Sequence, residues 1–413
     1  MRFNSARTIV VLLAALVCPL AHPNANDRES VSDQIPVLSG APTTLTTLPL
    51  DSEGLTVDPE TQMLYTAEAP DASGECFVRR VTLTGLVSIV GVLPKPSGGP
   101  CAPRGLEFRD GHLYIADQGV GATGWVFEMD PVTGQATVFA AGVAGANGIA
   151  FDSRGNLWVT DSLRGLGRVY RREAATGAVE EAFRVPPVAN GTTYGGRLAV
   201  PNALGIGRQI VYVPVGMQSE VKQVANGIVV VERYSDAALG TGQGRPPVAT
   251  LYIADTARGA IWTARLDKNG DLAPGQTGCD PTLQDNTLCE DAVFVAHPRL
   301  EGADGMVADV EGNLWITANS RQAVVRVDRF GEVTELFRNP VNSQLLRSSA
   351  DTAEGNTHIL EYPSNPVIVH GQGGSHTSTL CVTSTDRAPR DNWPGTVGEI
   401  GGPGQNKGKI SCF

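Results

Sequence analysis

Apolar and polar positions alternate along this chain in short runs divided by Gly, Asp and Asn, with no helical periodicity between them. One phrase recurs. It reads GIAFDSRGNLWVTD over Gly148–Asp161 and GMVADVEGNLWITAN over Gly305–Asn319. Weaker copies are Gly54–Glu68, Gly105–Asp117 and Gly227–Asp255. Each copy predicts an apolar strand, a turn with Asp, Gly or Asn, and a second strand of alternating aromatic and β-branched residues. A Gly-containing turn, a third strand (GRVYRR, AVVRVDR) and a more exposed fourth strand (ATVFAAG, EVTELFR) complete the unit. Self-similarity at this period, with four strands per unit, predicts an all-β fold of β-propeller blades.

The regular copies open after Glu53, Arg104, Asn147, Asn226 and Asp304, and a less regular unit spans Tyr362–Val369, Leu380–Thr385 and Gly408–Phe413. The expectation is a six-bladed β-propeller of four-stranded antiparallel blades. Pro36–Leu48 supplies the outer strand of the last blade, so that the ring closes without free edges. A single domain over 26–413 carries three insertions, around 187–224, 236–248 and 276–298, and long loops on a compact scaffold tend to be functional.

Composition narrows this picture. Residues 1–25 read as a signal peptide, because Arg2 and Arg7 precede an apolar run from Ile9 to Val17. That run is too short to span a bilayer, and no later segment is long and apolar enough, so the expected location is secreted or periplasmic. Of 7 cysteines, Cys18 lies in the leader, and the others fall in near pairs: Cys76 and Cys101, Cys279 and Cys289, Cys381 and Cys412. Export permits disulfides, and neighbour pairing is the economical choice among roughly 15 connectivities. The net charge of −11 lacks the basic footprint that nucleic acid requires. Catalytic signatures such as GxSxG, HExxH and the P-loop are absent from the sequence.

The letter before each opening Gly varies while the frame around it does not. In a propeller those positions sit at one height around the channel, so Glu53, Asn147, Asn226 and Asp304 converge. Two carboxylates and two amide oxygens are hard donors suited to Ca²⁺, with Mg²⁺ or Mn²⁺ as alternatives. Asn-Gly and Asp-Gly are also ordinary turn pairs; Glu53 is the member that turn chemistry explains least. Trp158, Trp262 and Trp315 are expected in the core.

Ser52-Glu53-Gly54-Leu55, Ala146-Asn147-Gly148-Ile149, Ala225-Asn226-Gly227-Ile228 and Ala303-Asp304-Gly305-Met306 together resemble the SMP-30/gluconolactonase/LRE-like group of six-bladed propellers, which includes sugar-lactone lactonases. The resemblance implies one divalent metal (Ca²⁺ first, with Mg²⁺, Mn²⁺ or Zn²⁺ as alternatives) held by Glu53, Asn147, Asn226 and Asp304. It also implies hydrolysis of a small lactone or ester, with Asp304 as candidate general base and Asn147 orienting substrate. The Arg that sugar-lactone enzymes place just before the blade-three Asn is missing from Gly142–Ala146. Arg104 is the candidate to replace it in substrate binding, or else it pairs with a carboxylate on a neighbouring blade. His376, in the Gly-rich loop that follows Asn365 and His370, is a candidate rim residue. Two alternatives stay open: a non-catalytic propeller with a structural ion that binds a ligand or partner, and a strictosidine-synthase-like enzyme on the shared architecture.

Overall fold

A computed structural model describes residues 36, 38, 41–96, 98–119, 123–162, 165–187, 197–201, 208–212, 224–233, 248–319, 321–338, 360, 363–370, 378–385 and 408–413. The expected leader at 1–25 lies outside them, as do His376 and most of 187–224 and 236–248. Six four-stranded antiparallel sheets form the six-bladed β-propeller. Their inner strands are Ser52–Val57, Pro103–Arg109, Ala146–Phe151, Ile228–Arg233, Ala303–Ala308 and Pro363–His370, here blades one to six. Among the described residues the only helices are two 3₁₀ turns of 3 residues each, Glu290–Ala292 and Pro298–Leu300. None of the described helices is long and apolar enough to cross a membrane.

The ring closes as expected. Thr43–Thr47 pairs with Gly408–Cys412, which in turn pairs with Ser378–Thr385. All three cysteine pairs are disulfides between near neighbours. Cys381–Cys412 lies in the closing sheet itself, directly opposite in register. Within the expected insertion at 187–224, Arg197–Pro201 and Arg208–Tyr212 form a two-stranded hairpin. The expected insertion at 276–298 contains Val293–Ala296, which is the outer strand of blade four. The actual excursion lies between Arg265 and Val293, stapled by Cys279–Cys289.

The DxxGNLW phrase has a mechanical reading. Asp152 Oδ1 accepts the backbone N–H of Arg154 and of Asn156, at 3.0 and 2.9 Å. Its Oδ2 accepts the Asn156 side-chain amide and the Trp158 indole N–H, at 3.0 and 3.1 Å. Gly155 sits at φ +83°, the left-handed region that only Gly occupies without steric penalty. One carboxylate therefore closes the turn and fixes the rotamer of the large core side chain that follows. Asp309, Asn313 and Trp315 repeat the arrangement in blade five. Trp158, Trp262 and Trp315 are all in the core as expected. Trp158 and Trp262 share a buried cluster with Phe183, Leu251 and Ile253 between blades three and four.

Near the channel the blades are tied by threonines of the second strands. Thr160, Thr317 and Thr383 donate to the backbone carbonyls of Asn226, Ser364 and Glu53 on the next blade. The blades also approach each other closely there. A β-carbon at Gly227 would lie 2.1 Å from the carbonyl oxygen of Asp304, and one at Gly148 would lie 2.5 Å from that of Asn226. The Gly that opens five of the six repeats is the residue that lets adjacent inner strands come this near.

Candidate functional site

The inner strands share a defect that sets the site. In blades one, two, three, five and six the pairing of the first two strands slips over the opening residues, between Ser52 and Leu55 and at the equivalent places. Such a bulge turns a side chain out of the sheet's alternation. The bulged residues are Glu53, Arg104, Asn147, Asp304 and, in blade six, Ser364, with Asn226 at the same place in blade four. Asn365 occupies the position that holds Gly in the other five blades.

Glu53, Asn147, Asp304, Ser364 and Asn365 line one cavity of about 60 Å³, and Asn226, next to the lining residue Gly227, adjoins it through its hydrogen bond to Asp304. Residues from the start of all six inner strands contribute, so it lies on the ring axis. Leu106, Ile149, Ile228 and Met306 give it an apolar lining one step further along each strand. The four expected oxygen donors are therefore together. Among the described residues no three His, Cys, Asp or Glu side chains gather to hold an ion. The expected donors are instead two carboxylates and one carboxamide on the cavity wall, Glu53, Asp304 and Asn147, with the Asn226 carboxamide beside Asp304.

Hydrogen bonds define how these groups face one another. Asn226 Nδ2 donates to Asp304 Oδ1 at 2.6 Å and to Thr256 Oγ1 at 2.9 Å. Asp304 Oδ2 accepts the side-chain amide of Asn319 at 3.2 Å. Asn147 Nδ2 donates to Ser162 Oγ at 2.8 Å and approaches Glu53 Oε1 at 3.5 Å. The Asn226 carbonyl oxygen, Oδ1, is buried with no hydrogen-bond partner. An orphaned buried acceptor costs about 1–3 kcal/mol, and a cation bound beside it would remove that cost. All the donors are hard oxygens, which suits Ca²⁺ or Mg²⁺. On both counts the residues fit a divalent ion.

Arg104 answers the alternative raised by the sequence. Its Nη1 pairs with Glu53 Oε2 on blade one, while Nε and Nη2 donate to Gln118 Oε1 at 3.2 and 2.9 Å. It reaches the same rim as the other bulged residues, through Glu53. His370 lies at the far end of its strand from Ser364, with Nδ1 2.8 Å from Ser378 Oγ. His376 falls outside the described residues.

Sequence reasoning missed two things. One is Ser364, hidden because Asn365 breaks the Gly frame. The other is an outer ring of polar partners, Gln118, Ser162, Thr256 and Asn319, each hydrogen-bonded to the bulged residue of its own blade. Each immediately follows the end of a second strand (IAD-Q, VTD-S, IAD-T, ITA-N), and that letter was the available signal. Blade one has Ala69 there, and Arg104 from blade two holds Glu53 in its place. Just past Leu106, burial pushes the Glu107 carboxyl up to about 8, and the attraction of Arg109 offsets this only in part. Glu107 accepts the Phe151 N–H at 3.1 Å.

Six blades closed by both chain ends, with a polar cavity on the axis, define the class as a six-bladed β-propeller. Residues 245–346 match the model of the SMP-30/Gluconolactonase/LRE-like region. This stretch holds Asp304, all of blade five and the last three strands of blade four, and over it the resemblance read from the sequence holds. No curated protein sequence matches the chain. Three solved structures are similar in shape. Regucalcin, a calcium-binding protein from Agrobacterium tumefaciens, is 18% identical over 90% of this chain and 94% of its own, with a TM-score of 0.47. A gluconolactonase from Xanthomonas campestris is 14% identical over 90% and 88%, with a TM-score of 0.44. Virginiamycin B lyase from Staphylococcus aureus is 15% identical over 83% and 80%, with a TM-score of 0.42.

Proposed function

We propose that this protein is an exported, divalent-metal-dependent hydrolase that opens a small lactone at the axial cavity. The observation that carries the reading is the convergence of Glu53, Asn147 and Asp304 on one cavity, with Asn226 hydrogen-bonded to Asp304 beside it and Asn226 Oδ1 buried and unpartnered. These four residues would hold the ion, with Ca²⁺ the best match to an all-oxygen set. A divalent ion there supplies Lewis-acid polarisation of an ester carbonyl and lowers the pKa of bound water. The chain's own part is binding and proton handling. Asp304 is the candidate general base. Asn147 lines the cavity and is the candidate to orient substrate hydroxyls. Leu106, Ile149, Ile228 and Met306 form an apolar wall against which ring carbons pack and from which water is excluded. Arg104, held by Glu53 and Gln118, keeps a positive charge beside the cavity and is the candidate to bind an electron-rich substrate oxygen. Export is supported by the leader-like start of the sequence and by three disulfides.

Metal analysis of the purified protein, coupled to a lactone-opening assay, tests this. The expected result is a bound divalent ion whose removal by chelator abolishes activity and lowers the melting temperature. Asp304→Ala should lose activity while staying folded, and Glu53→Gln should weaken ion binding more than Arg104→Ala. Protein that holds no divalent ion, and whose stability and activity are indifferent to chelator, overturns the proposal. Equal effects of the Glu53 and Arg104 substitutions overturn the ligand assignment.

A further inference from the structure

We infer that Thr256 is a positioning residue that fixes which way the Asn226 carboxamide faces, and that Ser162 does the same for Asn147. The inference rests on the metal reading above and deepens it. A side-chain amide presents two N–H donors and one carbonyl acceptor, and its two orientations differ only in which end meets which neighbour. At Asn226 the neighbours decide. The Thr256 hydroxyl has a single proton, and it is committed to the backbone carbonyl of Ala303 at 2.6 Å. Toward Asn226, Thr256 Oγ1 therefore acts only as an acceptor. The other neighbour, Asp304 Oδ1, is a carboxylate oxygen and also accepts. Both N–H bonds of Asn226 are thereby used, and Oδ1 is left buried without a donor. The reversed amide would set a carbonyl oxygen against two oxygens with no hydrogen between them.

Three further observations agree with a fixed carboxamide. Asn226 and Thr256 are 2% and 1% exposed, so water does not compete for either. Ala225, just before Asn226, is buried and held at φ +57°, a left-handed backbone that a β-carbon disfavours. Such strain persists where surrounding structure over-determines a conformation. The Asn226 carbonyl also receives the Thr160 hydroxyl from blade three. Backbone and side chain of Asn226 are thus both pinned, and the atom left over is the hard oxygen that a divalent ion takes.

Thr256 matters more once an ion binds. Asp304, the second determinant, is itself among the candidate ligands, and a cation there withdraws electron density from the carboxylate that Asn226 faces. Thr256 is not a candidate ligand, so its hold on the amide persists in the loaded site. On blade three Asn147 Nδ2 donates to Ser162 Oγ at 2.8 Å and faces Glu53 Oε1, a carboxylate acceptor, at 3.5 Å, so the nitrogen end of this amide also meets two oxygens. Partners that orient ligands in this way typically affect metal affinity 10–100-fold.

Calorimetric titration of CaCl₂ into chelator-stripped full-length protein tests the inference, with the melting temperature of each ion-free variant recorded alongside. Thr256→Val keeps the shape and removes the acceptor, and calcium affinity is expected to fall at least about 10-fold. Thr256→Ser keeps the hydroxyl and is expected to bind within about threefold of the wild type. Ser162→Ala, a smaller perturbation, is expected to lose about 10-fold, and it decides the question if Thr256→Val does not fold. Wild-type binding with unchanged affinity in Thr256→Val overturns the inference alone, as do equal losses in the Val and Ser variants. An unchanged Ser162→Ala overturns its extension to Asn147, and overturns the whole inference where Thr256→Val is unfolded. A wild-type chain that takes up no calcium or other divalent ion overturns the metal reading and this inference with it.

Discussion

The replacement Gly227→Ala tests whether the Gly of the repeat is there for closeness between blades. A β-carbon at this position would stand 2.1 Å from the carbonyl oxygen of Asp304, 3.0 Å from Gly305 Cα and 3.1 Å from the Asp304 carbonyl carbon. Ordinary contact begins near 3.4 Å, so the inner strands of blades four and five must separate by about 1 Å. The obstacle is backbone, which cannot swing aside, so the upper half of the usual overpacking cost of about 1–3 kcal/mol applies. Gly227 is not in the left-handed region, so Ala adds no backbone strain and stiffens the unfolded chain, returning about 0.4–1 kcal/mol. The net expectation is a loss of about 2 kcal/mol. The displaced carbonyl belongs to Asp304, which Asn226 contacts at 2.6 Å, so divalent-ion affinity should fall as well. Urea unfolding of wild type and variant measures the first effect and calcium titration the second. Gly142→Ala is the control: it sits at φ +80° with nothing within 4 Å of a β-carbon, so it should cost only about 1 kcal/mol of backbone strain and leave ion binding alone. The reasoning fails if Gly227→Ala is no less stable than Gly142→Ala and binds calcium like the wild type.

Two further predictions concern parts of the ring outside the cavity. Glu107, with its folded pKa raised from 4.5 to about 8 by burial, favours folding when protonated. Its contribution is intact below about pH 4.5, is lost as pH rises toward 8, and changes no further above that. Glu107→Gln keeps an acceptor for the Phe151 N–H. It should therefore stabilise the protein by roughly 2–4 kcal/mol at pH 8.5, below the ceiling of about 5, because Glu107 keeps some accessible surface. Urea midpoints should be nearly equal at pH 4.5, and a gain of the same size at both pH values refutes the assignment. Cys381→Ala/Cys412→Ala opens the closing sheet's disulfide, which spans a sequence separation of 31. Chain entropy makes that worth about 3–4 kcal/mol; an unchanged urea midpoint would show that strand pairing alone secures the ring.

How much of this was legible beforehand depends on the distance over which each relationship acts. The blade frame is local. Alternation, the Asp turn and the Gly-Asn-Leu-Trp run all act within a few residues, and Asp152 binding Arg154, Asn156 and Trp158 shows why such a phrase repeats. The convergence of Glu53, Asn147, Asn226 and Asp304 was also readable, because once the frame is known each occupies the same place in its blade. What stayed hidden depended on contacts between blades. Arg104 and Glu53 are 51 residues apart, and from the sequence alone Arg104 is equally a substrate hand or an ion-pair partner. Ser364 was obscured by Asn365 in the Gly position. Val293–Ala296 could not be joined to blade four because the excursion after Arg265 breaks the period. Gln118, Ser162, Thr256 and Asn319 stand where a turn residue stands, and only the folded ring shows that each meets the bulged residue of its own blade.

Blade one shows what the outer ring is for. There the partner position holds Ala69, which has no polar side-chain atom, and the rim residue is Glu53. A carboxylate that leans into a cavity beside a second carboxylate, Asp304, needs positive charge nearby. A Ser or Asn at position 69 would satisfy a hydrogen bond and leave that charge unmatched. Arg104 supplies both, and its own guanidinium is steadied by Gln118 from the outer ring of blade two. Arg104 is therefore a rim residue by position and an outer-ring residue by contact. An ion placed between the two carboxylates would take over part of the charge balance that Arg104 provides. The Arg104 guanidinium would then be the rim group most ready to release Glu53 and meet an incoming oxygen. The Asn pair has no such latitude, since Ser162 and Thr256 already engage their amide nitrogens.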